Sequence, residues 1–367
     1  MCILFSDHYG ATPMELAVGR TLATVPFGGR YRLIDFILSS LVKARIFNVG
    51  VLTKERYGSL VDHLGGGKDW DLDRKKGGLK ILTPFVKAES EFIRNRNKVE
   101  ALISIASYLE SCSEEHVILA DSNLVMNIDF EGMQQFHIEN DADITLLYQE
   151  RSDHKTDKLS IGCDPSGKVV DAYSGPSRID GMTGSAFNVA IFKKSYLLLM
   201  IARAHTFGWN NLERDFITRN IHTRRVFAYR HTGFSAVINT TADYYRASMQ
   251  LLDENVREEL FYSETPILTR IKNSVPTVYG FSGKVKNSLI ADGCEIHGKL
   301  NRCIVFRDVV IKEGAVLNNC IIMQQSVIEE GAELNCIITD KNVSISQKHI
   351  LFGYSTYPFI IAKGQTV

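Results

Sequence analysis

Three arginines, Arg20, Arg30 and Arg32, stand within or just before the stretch Val25 to Ser40, VPFGGRYRLIDFILSS. A guanidinium group suits phosphate because its planar fork meets two oxygens at once. The same arginines could instead pair with surface carboxylates or face water. Reaction at a triphosphate asks for more than cations. Backbone amides of a glycine-rich loop must approach the phosphates closely. Basic side chains must hold developing charge. Carboxylates must hold Mg²⁺, which prefers oxygen ligands. The segment Asp7 to Leu22, DHYGATPMELAVGRTL, is poor in glycine and in basic residues. The chain therefore has groups that can hold a phosphate, preceded by a loop ill suited to transfer one.

The elements that must position these groups alternate strand and helix patterns. Met1 to Phe5, Asn48 to Thr53, His116 to Ala120, Ala142 to Tyr148, Lys168 to Pro176 and Ser185 to Lys193 are predicted strands. Leu33 to Ala44 has helical spacing, with Leu33, Phe36, Ile37, Leu41 and Ala44 on one face. Tyr57 to Leu64, Val99 to Leu109, Phe130 to Glu139, Ser195 to Ala204 and Asp243 to Leu252 are further predicted helices. Such alternation favours a mostly parallel sheet covered on both faces. Residues 255–280 lose periodicity and contain Pro266 and Pro276, which marks a linker.

Beyond the linker the period becomes six: an aliphatic residue, three residues, then a small one. Ile290 to Cys294, Val305 to Val309, Ile311 to Ala315, Ile322 to Ser326 and Ile328 to Ala332 fit it. A hexapeptide period marks a parallel β-helix, in which each coil buries its face only against its neighbours. Gly293-Cys294, Gly314-Ala315 and Gly331-Ala332 suit tight corners. Cys294, Cys303, Cys320 and Cys336 fall here, as small fillers of a narrow coil or, alternatively, as metal ligands.

Bulk properties narrow the function classes. A chain of 367 residues exceeds one ordinary core and predicts about two domains. Formal net charge is zero, which gives no electrostatic case for nucleic acid or an anionic membrane. No apolar run approaches the roughly 20 residues of a membrane span, and MCILFSDHYG lacks the pattern of a signal peptide. Seven cysteines without a CxxC pair suggest reduced thiols. Together these lead to an expected cytoplasmic location.

The stretch VPFGGRYRLIDFILSS resembles the ADP-glucose pyrophosphorylase (glucose-1-phosphate adenylyltransferase) family. So do NVGVLTKERYGSLVDHL (Asn48 to Leu64), Asn127 to Phe136, Asp243 to Leu252 and the repeats ending in Asp340 to Val343. The resemblance implies an α/β Rossmann-like nucleotidyltransferase domain over 1–254, the linker over 255–280 and a left-handed parallel β-helix over 281–367. It also implies which positions should carry the chemistry. The family loop, similar to GGxGxRLxxLT followed by KPAVPFGG, puts Thr12 at the catalytic arginine and Leu22 at the lysine. Asn123 and Val237 stand at the two metal aspartates, Gly175 at the sugar-phosphate lysine, and Lys54 at the glutamine that contacts adenine. Asp121 and Arg20 are the possible stand-ins. Asp243 reads instead as the cap of the helix it precedes.

No catalytic residue and no metal site is therefore expected. The chain resembles the regulatory, GlgD-type subunit of the family, expected in a tetramer or other oligomer with a catalytic subunit. Mg²⁺ would be needed only by that partner. In the family, sugar-phosphate effectors sit near VPFGGRYR, so Arg20, Arg30 and Arg32 are the effector-binding candidates. Nucleic acid and membrane are not expected partners. Three alternatives stand beside this reading: an active adenylyltransferase with displaced ligands, a scaffold subunit without ligand, and a hexapeptide acyltransferase. The last wants a catalytic histidine, and His297 is the only one inside the repeats.

Overall fold

The apolar runs of the N-terminal two thirds form the strands of one sheet, and the amphipathic segments between them form helices. The computed structural model describes all residues except 8, 10–13, 55, 84–96, 151–157, 176–180 and 263–265. The elements begin β1 (Cys2–Phe5), β2 (Pro26–Phe27), β3 (Tyr31–Arg32), α1 (Leu33–Lys43), β4 (Asn48–Leu52), α2 (Gly58–Leu64) and β5 (Gly78–Leu82). Next come α3 (Lys98–Ser104), α4 (Ala106–Ser111), β6 (His116–Asp121), β7 (Leu124–Met126), α5 (Phe130–Glu139) and β8 (Ile144–Gln149). Then follow β9 (Lys158–Cys163), β10 (Val169–Gly175), β11 (Gly184–Lys193), α6 (Lys194–Phe207), β12 (Val226–Arg230), β13 (Ser235–Val237), α7 (Thr241–Gln250) and α8 (Glu254–Phe261).

By contact, the chain divides into two units that do not follow sequence order. The first contains Met1–Thr12, Ile37–Ser122 and Asn127–Gly233; the second contains Pro13–Phe36, Asn123–Met126 and Phe234–Val367. The stretch expected to be a linker opens with α8, a helix capped by the Asp253 carboxylate on the Asn255 amide.

The first unit holds a nine-stranded sheet in the order β10-β9-β11-β6-β1-β4-β5, with β8 beside β11 and β12 beside β8. β6, β1, β4 and β5 run parallel, as the sequence predicts. The other side is a correction to that expectation: β11 is antiparallel to β6, β8 and β9, and β10 is antiparallel to β9. A tight turn joins β9 to β10, where Asp164 accepts the amides of Ser166 and Lys168. A link that short cannot make a parallel crossover. The predicted helix Val99 to Leu109 is two helices, broken at Ile105 (φ −110, ψ 12). The Ser104 hydroxyl donates back to the Ala101 carbonyl, in competition with the helical ladder.

A histidine pair in this unit, His137 buried and His116 half-buried, sets an acid limit. His137 on α5 bonds through Nδ1 to Thr145 Oγ1 at 2.7 Å and meets the His116 ring edge-on at 4.8 Å. Burial, then the neighbouring His116, lowers its pKa to about 4. The folded pKa lies below the unfolded value of about 6.5, so the unfolded chain binds the proton first. Stability is then complete above pH 6.5 and falls as pH drops toward 4, by about 3 kcal/mol from this group. Denaturant titrations across that window should show a shallower acid limb for His137→Gln.

In the second unit the stretch VPFGGRYR forms the small hairpin β2–β3, pairing Pro26 with Arg32 and Phe27 with Tyr31. Gly28 and Gly29 turn it with φ of 58° and 83°, a region open to glycine. The glycines of this motif thus make a turn rather than a phosphate cradle. Phe27, Phe36 and Phe306 are fully buried in one core with Tyr244, Leu251 and Ile321. Each such side chain stabilises by about 1.5–3 kcal/mol on burial. The Tyr244 hydroxyl donates to the Pro26 carbonyl at 2.7 Å, and Tyr31 stacks on Phe261 at 5.0 Å.

The C-terminal part is a left-handed parallel β-helix of three five-stranded sheets. One position through the coils reads Lys284, Lys299, Val316, Glu333 and Ile350, a first step of 15 residues and then steps of 17. Steps of 17 explain why the six-residue period is irregular: each coil is one residue short of three hexapeptides. Left-handed corners recur in register, at Asn287, Arg302, Asn319 and Cys336 and at Gly314, Gly331 and Lys348. Cys294, Cys303 and Cys320 are buried thiols that donate to backbone carbonyls. Among the described residues no group of three or more His, Cys, Asp or Glu is placed to hold a metal ion.

Candidate functional site

In open α/β sheets, ligands bind outside the carboxyl ends of parallel strands. Here β6, β1 and β4 are neighbours, and their ends fall at Asp121, Phe5 and Leu52. Side chains of the first unit crowd that edge. The Lys54 ammonium lies 3.8 Å over the Tyr9 ring, which also meets the Phe5 ring edge-on at 5.6 Å. Burial pushes the Tyr9 hydroxyl pKa up, and Asp7 and Asp121 add to it. Burial pulls Lys54 down, against the nearby carboxylates of Asp7 and Glu100.

Beside this ring lies a buried ion cluster. Lys98 Nζ is 2.9 Å from Asp121 Oδ2 and 3.7 Å from Glu213 Oε1, where Glu213 opens a π-helical turn. The Asn188 amide donates to Asp121 Oδ2 at 2.7 Å. Burial would lower the Lys98 pKa, but Asp121 and Glu213 outweigh it and the net direction is up. Asp121 Oδ1 has no hydrogen-bond partner among the described residues. Asp121, a possible stand-in for a metal ligand, is committed to Lys98 and Asn188.

The two positions that the resemblance assigns to metal aspartates, Asn123 and Val237, lie at successive positions of the antiparallel pair β7 and β13 in the second unit. Leu124 pairs with Val237, and the Ile238 amide donates to the Asn123 carbonyl at 2.9 Å. The Asn123 side chain donates to the Ile238 carbonyl at 3.1 Å and to Asn239 Oδ1 at 2.8 Å. The pair thus offers an amide and an isopropyl group where a divalent ion needs carboxylates. Asp243 is spent elsewhere. Thr240, not Asp243, is the cap of α7, and Asp243 completes the capping box and pairs with Arg246. Leu22 is buried in a 3-10 turn, and a side chain at Gly175 would strike the Tyr173 ring at 2.5 Å. Thr12 lies outside the described residues.

Of the three arginines, two come together. Arg20 is buried and pairs through Nη2 with Asp340, which is equally buried. Its Nη1 has no hydrogen-bond partner among the described residues. Lys341 shares this neighbourhood: burial first, then Arg32 and Arg20, lower its pKa to about 7. Lys272 acts on Lys341 in the same direction. Arg30 lies apart, exposed over the Tyr31 ring at 5.7 Å. Sequence reasoning missed Asp340, Lys341 and Lys272. The segment Asp340 to Val343 is visible as a repeat ending, but nothing local in it points to Arg20, 320 residues away.

These features define a nucleotidyltransferase-type domain joined to a hexapeptide β-helix. The family described as Nucleotidyl transferase matches residues 15–162, and that described as GlmU-like, C-terminal hexapeptide, matches residues 274–355. The chain is 33% identical over 364 residues to glycogen biosynthesis protein GlgD of Bacillus subtilis (strain 168), covering 99% of this chain and 95% of that protein. It is 34% identical to GlgD of Geobacillus stearothermophilus, covering 81% of this chain and 77% of that protein. A glucose-1-phosphate adenylyltransferase of Pseudothermotoga lettingae is 30% identical over 80% of this chain and 70% of its own length. The chain belongs to the GlgD and glucose-1-phosphate adenylyltransferase family. No helix among the described residues is long and apolar enough to cross a membrane.

Proposed function

We propose that this chain is a regulatory subunit with little or no adenylyl transfer of its own, acting in glycogen biosynthesis on a catalytic glucose-1-phosphate adenylyltransferase. The observation that carries this reading is that Asn123 and Val237, at successive positions of the β7–β13 ladder, carry no carboxylate. A shared divalent ion would need carboxylates at that pair, and the nearest acids in sequence, Asp121 and Asp243, serve Lys98 and the α7 cap. Loss of one cation from a transferring phosphoryl group already costs about 10³–10⁵ in rate. The purified chain with ATP, Mg²⁺ and glucose 1-phosphate should show no turnover, while adding it to a catalytic subunit should change that subunit's rate or affinity. Turnover by the chain alone at 1 per second or more, an ordinary enzyme's rate, would sink the proposal and favour displaced ligands. An unchanged partner rate despite co-purification would favour a scaffold.

The regulatory input is a phosphorylated sugar at Arg20, Arg32 and Lys341. The unpartnered Arg20 Nη1 and the crowding of Lys341 by like charges both favour an anion. A bound phosphate stabilises the protonated form of Lys341, whose pKa is about 7 in its absence. Affinity for fructose or glucose phosphates should therefore rise as pH falls from 8 to 6, by about three- to tenfold. Calorimetric titration of the wild type and Lys341→Ala checks the slope, which the substitution should flatten. Arg32→Ala should weaken binding at every pH.

A further inference from the structure

We propose that the chain closes its own nucleobase crevice, with the Tyr9 ring lodged where a base would stack at the carboxyl ends of β1, β4 and β6. The proposal rests on the reading that the crevice has lost its transfer chemistry, and goes beyond it. Missing ligands alone would leave the base slot open, whereas a lodged ring occupies it.

The geometry of the ring is that of a held base. An aromatic base is commonly gripped by a cation over one face and an aromatic side chain against it. Tyr9 has both: Lys54 Nζ at 3.8 Å over the ring and Phe5 edge-on at 5.6 Å. The partners come from two neighbouring strand ends, Phe5 closing β1 and Lys54 following β4. The adjoining floor is also filled from within. Lys98 lies 5.5 Å from the Phe5 ring centre and is locked between Asp121 and Glu213, with Asn188 bonded to the same carboxylate. Behind it a small cavity remains, with Phe5, Leu119, Leu146, Leu159 and Phe187 in its lining. A phenol on a loop that phosphate binders keep free of bulk thus takes the volume a ligand would need.

The test is titration of the full chain with adenosine and with ATP, followed by ligand-observed NMR. Adenosine isolates the base slot from the missing phosphate ligands. The wild type should bind adenosine more weakly than about 10 mM, and Tyr9→Ala should gain at least about tenfold. Tyr9→Phe keeps the ring and should behave as wild type. Lys54→Gln removes the cation that pins the ring and should gain in the same direction. Equal adenosine binding by wild type and Tyr9→Ala overturns the proposal, as does the absence of a gain in both folded variants. Should Tyr9→Ala fail to fold, Lys54→Gln decides alone. The regulatory reading is judged separately, on the partner's rate: free adenosine binding by an inactive chain sinks the plug and leaves the regulator standing.

Discussion

Asp340→Asn should destabilise the second unit by about 3–5 kcal/mol, the usual cost of leaving one member of a buried ion pair uncompensated. The two side chains are 8% and 7% exposed, so water cannot take over. The same substitution should strengthen phosphate binding. It removes a carboxylate that acts on Lys341, leaving Arg20, Arg32, Lys272 and Lys341 with no opposing charge from this position. Phosphate or a sugar phosphate at about 100 times its Kd should return about 2.7 kcal/mol of that loss by mass action. Thermal unfolding of wild type and variant across a phosphate series checks both halves. A loss below about 1 kcal/mol, or a phosphate response no larger in the variant than in wild type, would show that the pair is neither buried support nor the counter-ion of an anion site.

This opposition of sign separates a regulatory pocket from a structural ion pair. A purely structural pair loses stability in the variant and gains nothing from phosphate. A pocket that keeps its own counter-ion trades one anion for another. On the proposed reading, Asp340 holds the place of the effector in its absence, and Lys341 supplies the proton-linked part of the exchange. Arg30 stands exposed over the Tyr31 ring.

Most of the first unit was legible because its strands are buried on both faces and read as short apolar runs. Cys2–Phe5, His116–Asp121 and Asn48–Leu52 each fall within a residue or two of the predicted bounds. β9 and β12 were not, since a strand joined by a tight turn or bordered by polar residues carries little periodic signal. The β-helix was legible as a period of six, but its coil of 17 residues was not, because the missing residue falls at one recurring corner, between Val316 and Ile321 and again between Glu333 and Ile338, while the other corners keep the period. At the site, the substituted positions were legible only through the resemblance to the family's loop and strand motifs. What occupies the space was not. Lys98 and Asp121 lie 23 residues apart, and Arg20 and Asp340 lie 320 apart. The resemblance implies missing ligands; only the fold brings Tyr9 against Lys54 and Phe5, and Lys98 against Asp121.

Lys98→Met should cost the first unit about 3–5 kcal/mol. Methionine keeps much of the length and apolar stem of lysine, so packing against Phe5 survives and the loss isolates the charge. Without the ammonium, Asp121 keeps one amide donor from Asn188, and Glu213 keeps no cation from this cluster. A second change then discriminates charge from shape. Asp121→Asn alone leaves Lys98 buried with Glu213 at 3.7 Å and should cost a similar amount. The double variant, Lys98→Met with Asp121→Asn, has neither charge and should recover most of the loss, because a neutral pair of similar volume avoids the desolvation that the ion pair must offset. Denaturant titrations of the four proteins give the coupling energy directly. Additive losses would mean that the two side chains act independently, and that Lys98 is not the fixed cation that fills this crevice.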